Sequence, residues 1–495
     1  MGAGKTSAAR AAAAALGARS VDSDHVLEER LGSAIQDHFT SHGERAFREA
    51  EEEAVAELLA HPPSPVLSLG GGAVLSERVR DLLRDHTVVL LDVDEETAWR
   101  RCGGRRPLAR DRARFGALLE ERRPLYDSVA DAVMLDSSRE VVRRAVPALR
   151  RLEETPPGTR MLWATAASGE YPVYVGDGLM GCGFRALEGA AHVVTDANVA
   201  RIYGQVLAGE TVIAVEAGEE AKTLSVAGSV LERLADAGLD HDGHVLAVGG
   251  GVVGDLAGFC AAVYQRGVRV VQVPTTLVAQ VDSAYGGKTG VDLPQGKNYV
   301  GAYHQPAAVL ADPTVLRTLP AEELAAGWAE VVKTALIAGG PLWKRVRGRA
   351  AEVDRDLVLA CARTKLAVVA ADERDSGARQ ALNLGHTVGH AIETVTGYRR
   401  YRHGEAVGLG LLAALTLSAQ PALREEVADL LADRGLPVTL DPAVDPAEVV
   451  AATGRDKKRR GGRVGFALVE APGDVRTGMP VADDDLRAAV AQLSP

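Results

Sequence analysis

Two histidines four residues apart, His386 and His390, stand in the stretch N-L-G-H-T-V-G-H-A-I-E. Gly389 is the sole helix breaker nearby, so a helix would carry both imidazoles on one face. A short turn-like link, 397–402, leads to His403 and Glu405 in Y-R-H-G-E. Upstream, the apolar run G-W-A-E-V-V-K-T-A holds a lone acid, Glu330. Two or three imidazoles and a carboxylate suit an open, catalytic zinc site with three protein ligands and one vacant position. The plainer alternative is a solvated helix face, and only the neighbouring motifs separate the two.

A second chemical signal lies at the other end of the chain. It begins G-A-G-K-T-S before an alanine-rich helical patch. This is the back of a phosphate loop: Gly2 and Gly4 leave backbone N–H groups free for phosphates. Lys5 reaches the outer phosphates and Thr6 holds Mg²⁺, with Ser7 beside them. The following helix adds its positive N-terminal end. The full pattern needs a glycine five positions before Gly4 and a buried strand before that. A loop without them is expected to bind ATP poorly. The expectation is therefore a coding start upstream of Met1, the alternative a weakened or silent kinase.

A third lies in the middle, where H-V-L-A-V-G-G-G-V-V-G-D is an apolar strand, a glycine turn and a helix start. Gly249, Gly251 and Gly254 make G-x-G-x-x-G in the strand–turn–helix context that dinucleotide binding demands. No acid stands at the usual place about 20 residues on, which favours a relative that holds NAD differently from an ordinary Rossmann domain. The next segment, V-P-T-T-L-V-A-Q-V-D-S-A-Y-G-G-K-T-G-V-D-L-P-Q-G-K-N, places Asp282, Lys288, Lys297 and Asn298 among glycines. Lysines in that setting suit a phosphate-bearing substrate; an exposed loop is the alternative.

The frame around these motifs follows from composition and pattern. A chain of 495 residues is too long for one ordinary domain, and 46% hydrophobic with 25% charged residues is globular. A net charge of −11 argues against a general nucleic-acid surface. Four scattered cysteines suggest neither disulfides nor a thiolate metal site. No apolar run spans a bilayer and no signal peptide is visible, so the cytoplasm is expected. In 1–152, strands alternate with helices and glycine turns, implying a parallel α/β sheet. The run E-E-T-P-P-G-T-R, 153–160, reads as a semi-rigid linker. From 161 to about 311 short β-branched strands again alternate with helices, and from Leu319 onward the pattern is mostly helical.

Residues 1–152 resemble shikimate kinase. D-S-D, F-R-x-x-E, L-G-G-G, R-P-L and R-x-P-L-Y occur in that family's order. The resemblance implies that Asp24 holds the shikimate hydroxyls and accepts a proton, with Asp22 nearer the metal. Arg48 and Arg122 would clamp the carboxylate with planar guanidinium forks. Gly71 and Gly72 would let the backbone approach the substrate. Arg106, in a lid loop, would neutralise the transferring phosphoryl group.

Residues 161–495 resemble 3-dehydroquinate synthase. G-G-G-V-V-G-D, V-P-T-T-L, Q-V-D-S, G-G-K-T, G-K-N, G-W-A-E-V-V-K, L-N-L-G-H-T-x-G-H-A-I-E and H-G-E keep that family's order. The resemblance implies an NAD-binding α/β domain to about Ala311 and an α-helical metal domain after it, 312–495. Its zinc (or cobalt) ligands would be Glu330, His386 and His403, with His390 as a substrate or proton-transfer contact. NAD would contact Asp196, Asn198, Glu219, Lys222, Gly251, Val252, Val253, Gly254, Asp255, Thr275, Thr276, Lys288, Lys297 and Thr318. Substrate would meet Arg266, Asp282, Lys288, Asn298, Lys333, Lys365, Arg379, Asn383 and one of Lys457 or Lys458. It further implies small-molecule substrates and a homodimer through this half. The rival on the same fold is a metal-dependent NAD polyol dehydrogenase, which has no use for so much positive charge.

Overall fold

The computed structural model describes residues 2–102, 111–208, 210–348, 352–454 and 465–495, which form two compact units, 1–164 and 165–495. Arg106, Lys457 and Lys458 lie outside the described residues. Among the described residues no helix is long and apolar enough to cross a membrane.

In the first unit α1 (Lys5–Ala15) starts at Gly4, whose left-handed φ of 83° turns the glycine loop into the helix. Its apolar alanines, Ala8, Ala9, Ala11 and Ala13, are buried. Two parallel strands, β1 (Ser20–Asp22) and β2 (Val66–Ser68), pair with each other. Between them run α2 (Ser23–Leu31), capped by the Asp22 carboxylate, and α3 (Ile35–Ala60), broken at Gly43. After α4 (Glu77–Leu83) come β3 (Val89–Leu91), α5 (Glu95–Cys102), α6 (Arg112–Val129) and β4 (Ala132–Met134). α7 (Arg139–Arg151) then leads into β5 (Arg160–Ala166). β3, β4 and β5 are joined in parallel. The expected parallel α/β architecture is present, with its strands in two hydrogen-bonded sets among the described residues.

The second unit carries a six-stranded parallel run, and the sheet order is β6-β13-β10-β9-β7-β8. These strands are β6 (Gly169–Val175), β7 (Ala191–Asp196), β8 (Thr211–Val215), β9 (His244–Gly249), β10 (Arg269–Pro274) and β13 (Ala308–Ala311). The helices between them are α8 (Ala197–Tyr203), α9 (Leu224–Asp236) and α10 (Gly251–Val263). The chain leaves β7 toward β8 and leaves β9 toward β10, in opposite directions. That reversal opens a crevice beyond the carboxyl ends of β7 and β9, where open α/β sheets bind ligands. Valine, alanine and leucine fill both faces, as buried parallel strands require. The glycine-rich stretch of no clear period resolves into a π turn, Ala279–Ser283, and the antiparallel hairpin of β11 (Lys288–Leu293) and β12 (Gly296–Tyr303).

The remainder is helical: α11 (Ala321–Ala338), α12 (Gly340–Arg347), α13 (Arg355–Ala371), α14 (His386–Val395), α15 (His403–Leu417), α16 (Pro421–Asp433), α17 (Pro446–Thr453) and α18 (Asp483–Ala491). One small hairpin, β14 (Phe466–Ala471) with β15 (Asp474–Met479), interrupts it. Glycine sets how closely these helices pack. A Cβ on Gly389 would meet the Ala406 carbonyl oxygen at 3.0 Å. On Gly404 it would stand 1.9 Å from the Ala326 oxygen, and on Gly410 1.9 Å from the Gly385 oxygen. Gly389 is thus no helix breaker here; it lets α15 lie against α14, while Gly404 seats α15 on α11.

Gly410→Ala should push α15 off the Gly385 turn that starts α14. Overpacking of this kind costs about 1–3 kcal/mol. The thermal midpoint should fall by several degrees, and a wild-type midpoint would refute the close-approach account.

Candidate active sites

The histidine cluster is assembled from three helices. Glu330 projects from the fully buried middle of α11, His386 is the first residue of α14, and His403 is the first of α15. The last two start turns where the chain changes direction. Nε2 of His386 lies 3.5 Å and Nε2 of His403 3.4 Å from Glu330 Oε1. One ligand-type atom from each of the three lies within 4.8 Å of the others. Glu330 is fully buried, with charged or titratable neighbours on both of its oxygens. The other ring nitrogens are engaged: His386 Nδ1 is 3.2 Å from the Leu384 carbonyl, and His403 Nδ1 is 3.5 Å from Glu393 Oε2. Each imidazole therefore turns its Nε2 inward beside a fully buried carboxylate, a donor set that fits a zinc-sized cation. His390 sits one turn along α14, its ring 5.3 Å from that of His386 and 6.0 Å from that of His403.

Glu405 has a different employment. Its carboxylate accepts from the Arg402 backbone N–H at 2.7 Å, capping its own helix.

Cations crowd the other side of Glu330. Lys333 Nζ stands 2.5 Å from Glu330 Oε2 and 3.6 Å from Asp282 Oδ1. Lys365 Nζ is 3.0 Å from the same Asp282 oxygen and donates to the Asp282 carbonyl at 2.6 Å. Burial would raise the Asp282 carboxyl, but Lys333 and Lys365 overcome it and hold the group down at about 2. Burial lowers Lys365 to about 8 against the pull of Asp282. Arg379 is buried, donating to the Glu373 and Gly286 carbonyls at 2.5 and 3.1 Å. Asn383 closes the short turn 378–383 just before α14. Lys288, half exposed at the start of β11, pairs with Asp375 at 2.5 Å.

The glycine turn at the end of β9 lies next to these groups through a run of charges. Asp255, at the start of the second turn of α10, pairs with buried Lys222 at 2.8 Å, and Lys222 with Glu219 at 3.4 Å. Burial would lower Lys222, but Asp255 and Glu219 raise it. Lys297 lies 3.6 Å from Glu219 and 3.1 Å from Glu393. Gly250 caps α10 and its carbonyl accepts from Gly254 N–H at 3.0 Å, while the N–H groups of Gly251, Val252 and Val253 at the helix start, with the helix dipole, favour anions. Thr275 and Thr276 follow β10, and Thr276 Oγ1 accepts from Ala279 N. Asp196 ends β7 and caps α8 through Asn198 and Val199, while Thr318 bonds Tyr203 of α8 at 2.8 Å. Asn298, exposed with a φ of 55°, bonds Asp292 through its backbone N–H.

Arg266 is not brought to this cluster. It follows the far end of α10, a helix of 13 residues and so about 20 Å from the glycine turn. Its side chain is exposed. The sequence reading also passed over Glu393, which is buried at 2% exposure between His403 and Lys297. The available signal was its place three residues after His390 on the same helical face.

In the first unit a cleft of about 300 Å³ is lined by Gly2, Ala3, Gly4, Lys5, Thr6, Ser7, Asp22, Asp24, Ser68, Leu69 and Arg101. Thr6 Oγ1 donates to Asp22 Oδ2 at 2.6 Å, and Ser7 accepts from Arg139 at 2.9 Å. Arg48 pairs with Glu51 at 2.5 Å, and a Cβ on Gly72 would run into its guanidinium. Gly71 is held through its carbonyl by Tyr126 Oη at 2.7 Å. Glu51, quoted in F-R-x-x-E without a role, is the buried centre. Burial raises its carboxyl while Arg48 and, less strongly, Arg122 oppose, with Asp24 adding to the rise.

Residues 212–326 match the family model described as 3-dehydroquinate synthase N-terminal, and 327–459 the one described as 3-dehydroquinate synthase C-terminal. Over 350 residues the chain is 45% identical to the 3-dehydroquinate synthase of Symbiobacterium thermophilum, spanning 64% of this chain and 96% of that protein. The chain belongs to the 3-dehydroquinate synthase family. The corresponding synthase of Halorhodospira halophila is 45% identical over 334 residues, 64% of this chain and 94% of that protein. A 2-epi-5-epi-valiolone synthase from Streptomyces hygroscopicus, solved with NAD⁺ and Zn²⁺ bound, is 28% identical with a TM-score of 0.61. That match covers 67% of this chain and 98% of that one. Residues 1–150 match the shikimate kinase model, so the protein joins a shikimate kinase domain to a dehydroquinate synthase, two activities of the shikimate pathway.

His386→Ala should abolish zinc retention. Turnover by the synthase should fall about a thousandfold or more, since a metal acting on an oxygen is worth several kcal/mol. Metal analysis of the purified variant decides it, and wild-type zinc content would remove His386 from the ligand set.

Proposed function

We propose that Glu330, His386 and His403 hold zinc, with cobalt as a possible substitute, and that the glycine turn and the Glu219–Lys222–Lys297 group hold NAD⁺. The substrate is 3-deoxy-D-arabino-heptulosonate 7-phosphate, converted to 3-dehydroquinate and phosphate without net change in NAD⁺. The observation that carries this is the convergence of the two-histidine, one-carboxylate set with Lys333, Asp282 and Lys365. Zinc would polarise the reacting hydroxyl, and the nicotinamide would take up and later return one hydride.

The chain's own residues supply the rest. Lys365, Lys333, Arg379 and Lys288 present positive charge to an anionic substrate and stabilise charge on the departing phosphate. Asp282, held ionised, orients Lys333 and Lys365. His390, beside the ligand histidines yet outside the Glu330 set, is placed to move a proton. A neutral polyol would need none of these cations, which tells against the dehydrogenase rival.

In the kinase domain we assign Lys5, Gly2, Gly4 and Ser7 to ATP, Thr6 and Asp22 to Mg²⁺, and Asp24, Arg48, Gly71, Gly72 and Arg122 to shikimate. We take the protein to be cytoplasmic and homodimeric through its synthase half. Division of the chain at 153–160 and near 311 follows from the same reading.

Phosphate release from the seven-carbon substrate should proceed with no net absorbance of NADH, and glycerol should yield none; steady NADH accumulation would defeat the synthase reading. Because burial lowers the Lys365 ammonium to about 8, its positive charge should fade, and the KM for the anionic substrate rise, as pH passes that value. Lys365→Arg should remove the rise. Lys5→Ala should end ATP-dependent shikimate phosphorylation and leave phosphate elimination intact; linked loss of both would show the two sites to be dependent.

A further inference from the structure

Glu393 is a buried group of the second unit with two charged neighbours and no role in the reading above. It sits in the last turn of α14, at 2% exposure. One oxygen is 3.1 Å from Lys297 Nζ. The other, which accepts no directed hydrogen bond, is 3.5 Å from His403 Nδ1. Lys297 is held from two further sides, by Glu219 at 3.6 Å and by the Tyr398 ring, whose centroid is 4.7 Å from Nζ. Tyr398 is itself tied back, its N–H donating to the Glu393 carbonyl at 2.8 Å. Glu393 and Lys297 are therefore held together before any nucleotide binds.

We propose that Glu393 is a positioning residue that orients His403 toward the metal and, through Lys297, couples metal retention to nucleotide occupancy. This rests on the zinc and NAD⁺ assignments above. A carboxylate on the distal nitrogen of a ligand imidazole fixes its tautomer and raises its basicity. His386 takes that orientation from the Leu384 carbonyl, which no ligand can pull away. For His403 the partner is a side chain shared with a nucleotide-facing lysine. When the negatively charged pyrophosphate draws Lys297, Glu393 is left to His403 alone and the imidazole binds the cation more tightly. By linkage, zinc should tighten NAD⁺ by the same factor.

The test is zinc affinity of the stripped full-length protein, measured by chelator competition with and without NAD⁺. The wild type should take up one zinc per chain and hold it more tightly with NAD⁺. Glu393→Gln, which keeps the shape and removes the charge, should weaken zinc by about ten- to a hundredfold. It should also erase the NAD⁺ effect, and Glu393→Asp should recover part of it. Zinc affinity in Glu393→Gln equal to wild type, or an NAD⁺ effect that survives, overturns the proposal. Should that variant fail to fold, Lys297→Met carries the test at an NAD⁺ concentration shown by titration to saturate that variant: zinc must still bind but respond to bound NAD⁺ no longer, and a persisting response refutes the coupling. Two zinc ions per chain would make Glu393 a ligand with His390 and His403, which also overturns a positioning role. A wild type that takes up no zinc defeats the metal assignment itself.

Discussion

An alternating line of charges runs through the second unit and everything else there is arranged to keep it intact. It passes from Asp255 through Lys222, Glu219, Lys297 and Glu393 to His403, then through Glu330, Lys333 and Asp282 to Lys365. No consecutive pair is more than 3.6 Å apart. Burying so many ionised groups singly would cost several kcal/mol each. Alternation offsets that cost, and leaves the line sensitive at any point where one partner is missing. Glu330 lies within it, a fully buried carboxylate between Lys333 and two inward-facing imidazole nitrogens. The line begins near the N-terminal end of α10 and ends on α13, so it ties the nucleotide crevice to the helical region residue by residue.

Backbone placement makes the line possible. The strand order reverses between β7 and β9, which puts the glycine turn and Asp196 at one crevice. The π turn at Ala279–Ser283 delivers Asp282 inward from the end of β10. Glycines at 389, 404 and 410 allow α11, α14 and α15 to approach within backbone contact, so side chains as short as histidine and glutamate can meet. The kinase domain uses a related device on a smaller scale: Gly72 makes room for the Arg48 guanidinium, and Glu51 gathers the charges that face the cleft.

Function at both sites depends on anion recognition within a chain of net charge −11. The positive charge is therefore local. In the synthase it sits on Lys288, Lys297, Lys333, Lys365 and Arg379, most of them balanced by a specific acid. Such balance holds the cations in place while no substrate is present. It also means that a substrate phosphate competes with protein carboxylates, which favours a ligand of higher charge density over a neutral one.

Much of this was legible in the chain itself. H-x-x-x-H, the lone acid in an apolar helix and the strand–turn–helix around G-x-G-x-x-G each report short-range geometry, because three or four residues of helix or a single turn decide which atoms share a face. The alternation of strands and helices likewise dictated parallel sheets. Three things were settled only by the tertiary structure. Glu393 became a partner of His403 because α14 and α15 pack closely, and nothing local says which helix faces which. Glu405, two residues past a histidine in sequence, turned to its own helix N-terminus instead. Arg266, only three residues past α10, was carried to the far end of that helix, since sequence proximity to a motif fixes distance along the chain and not across the sheet.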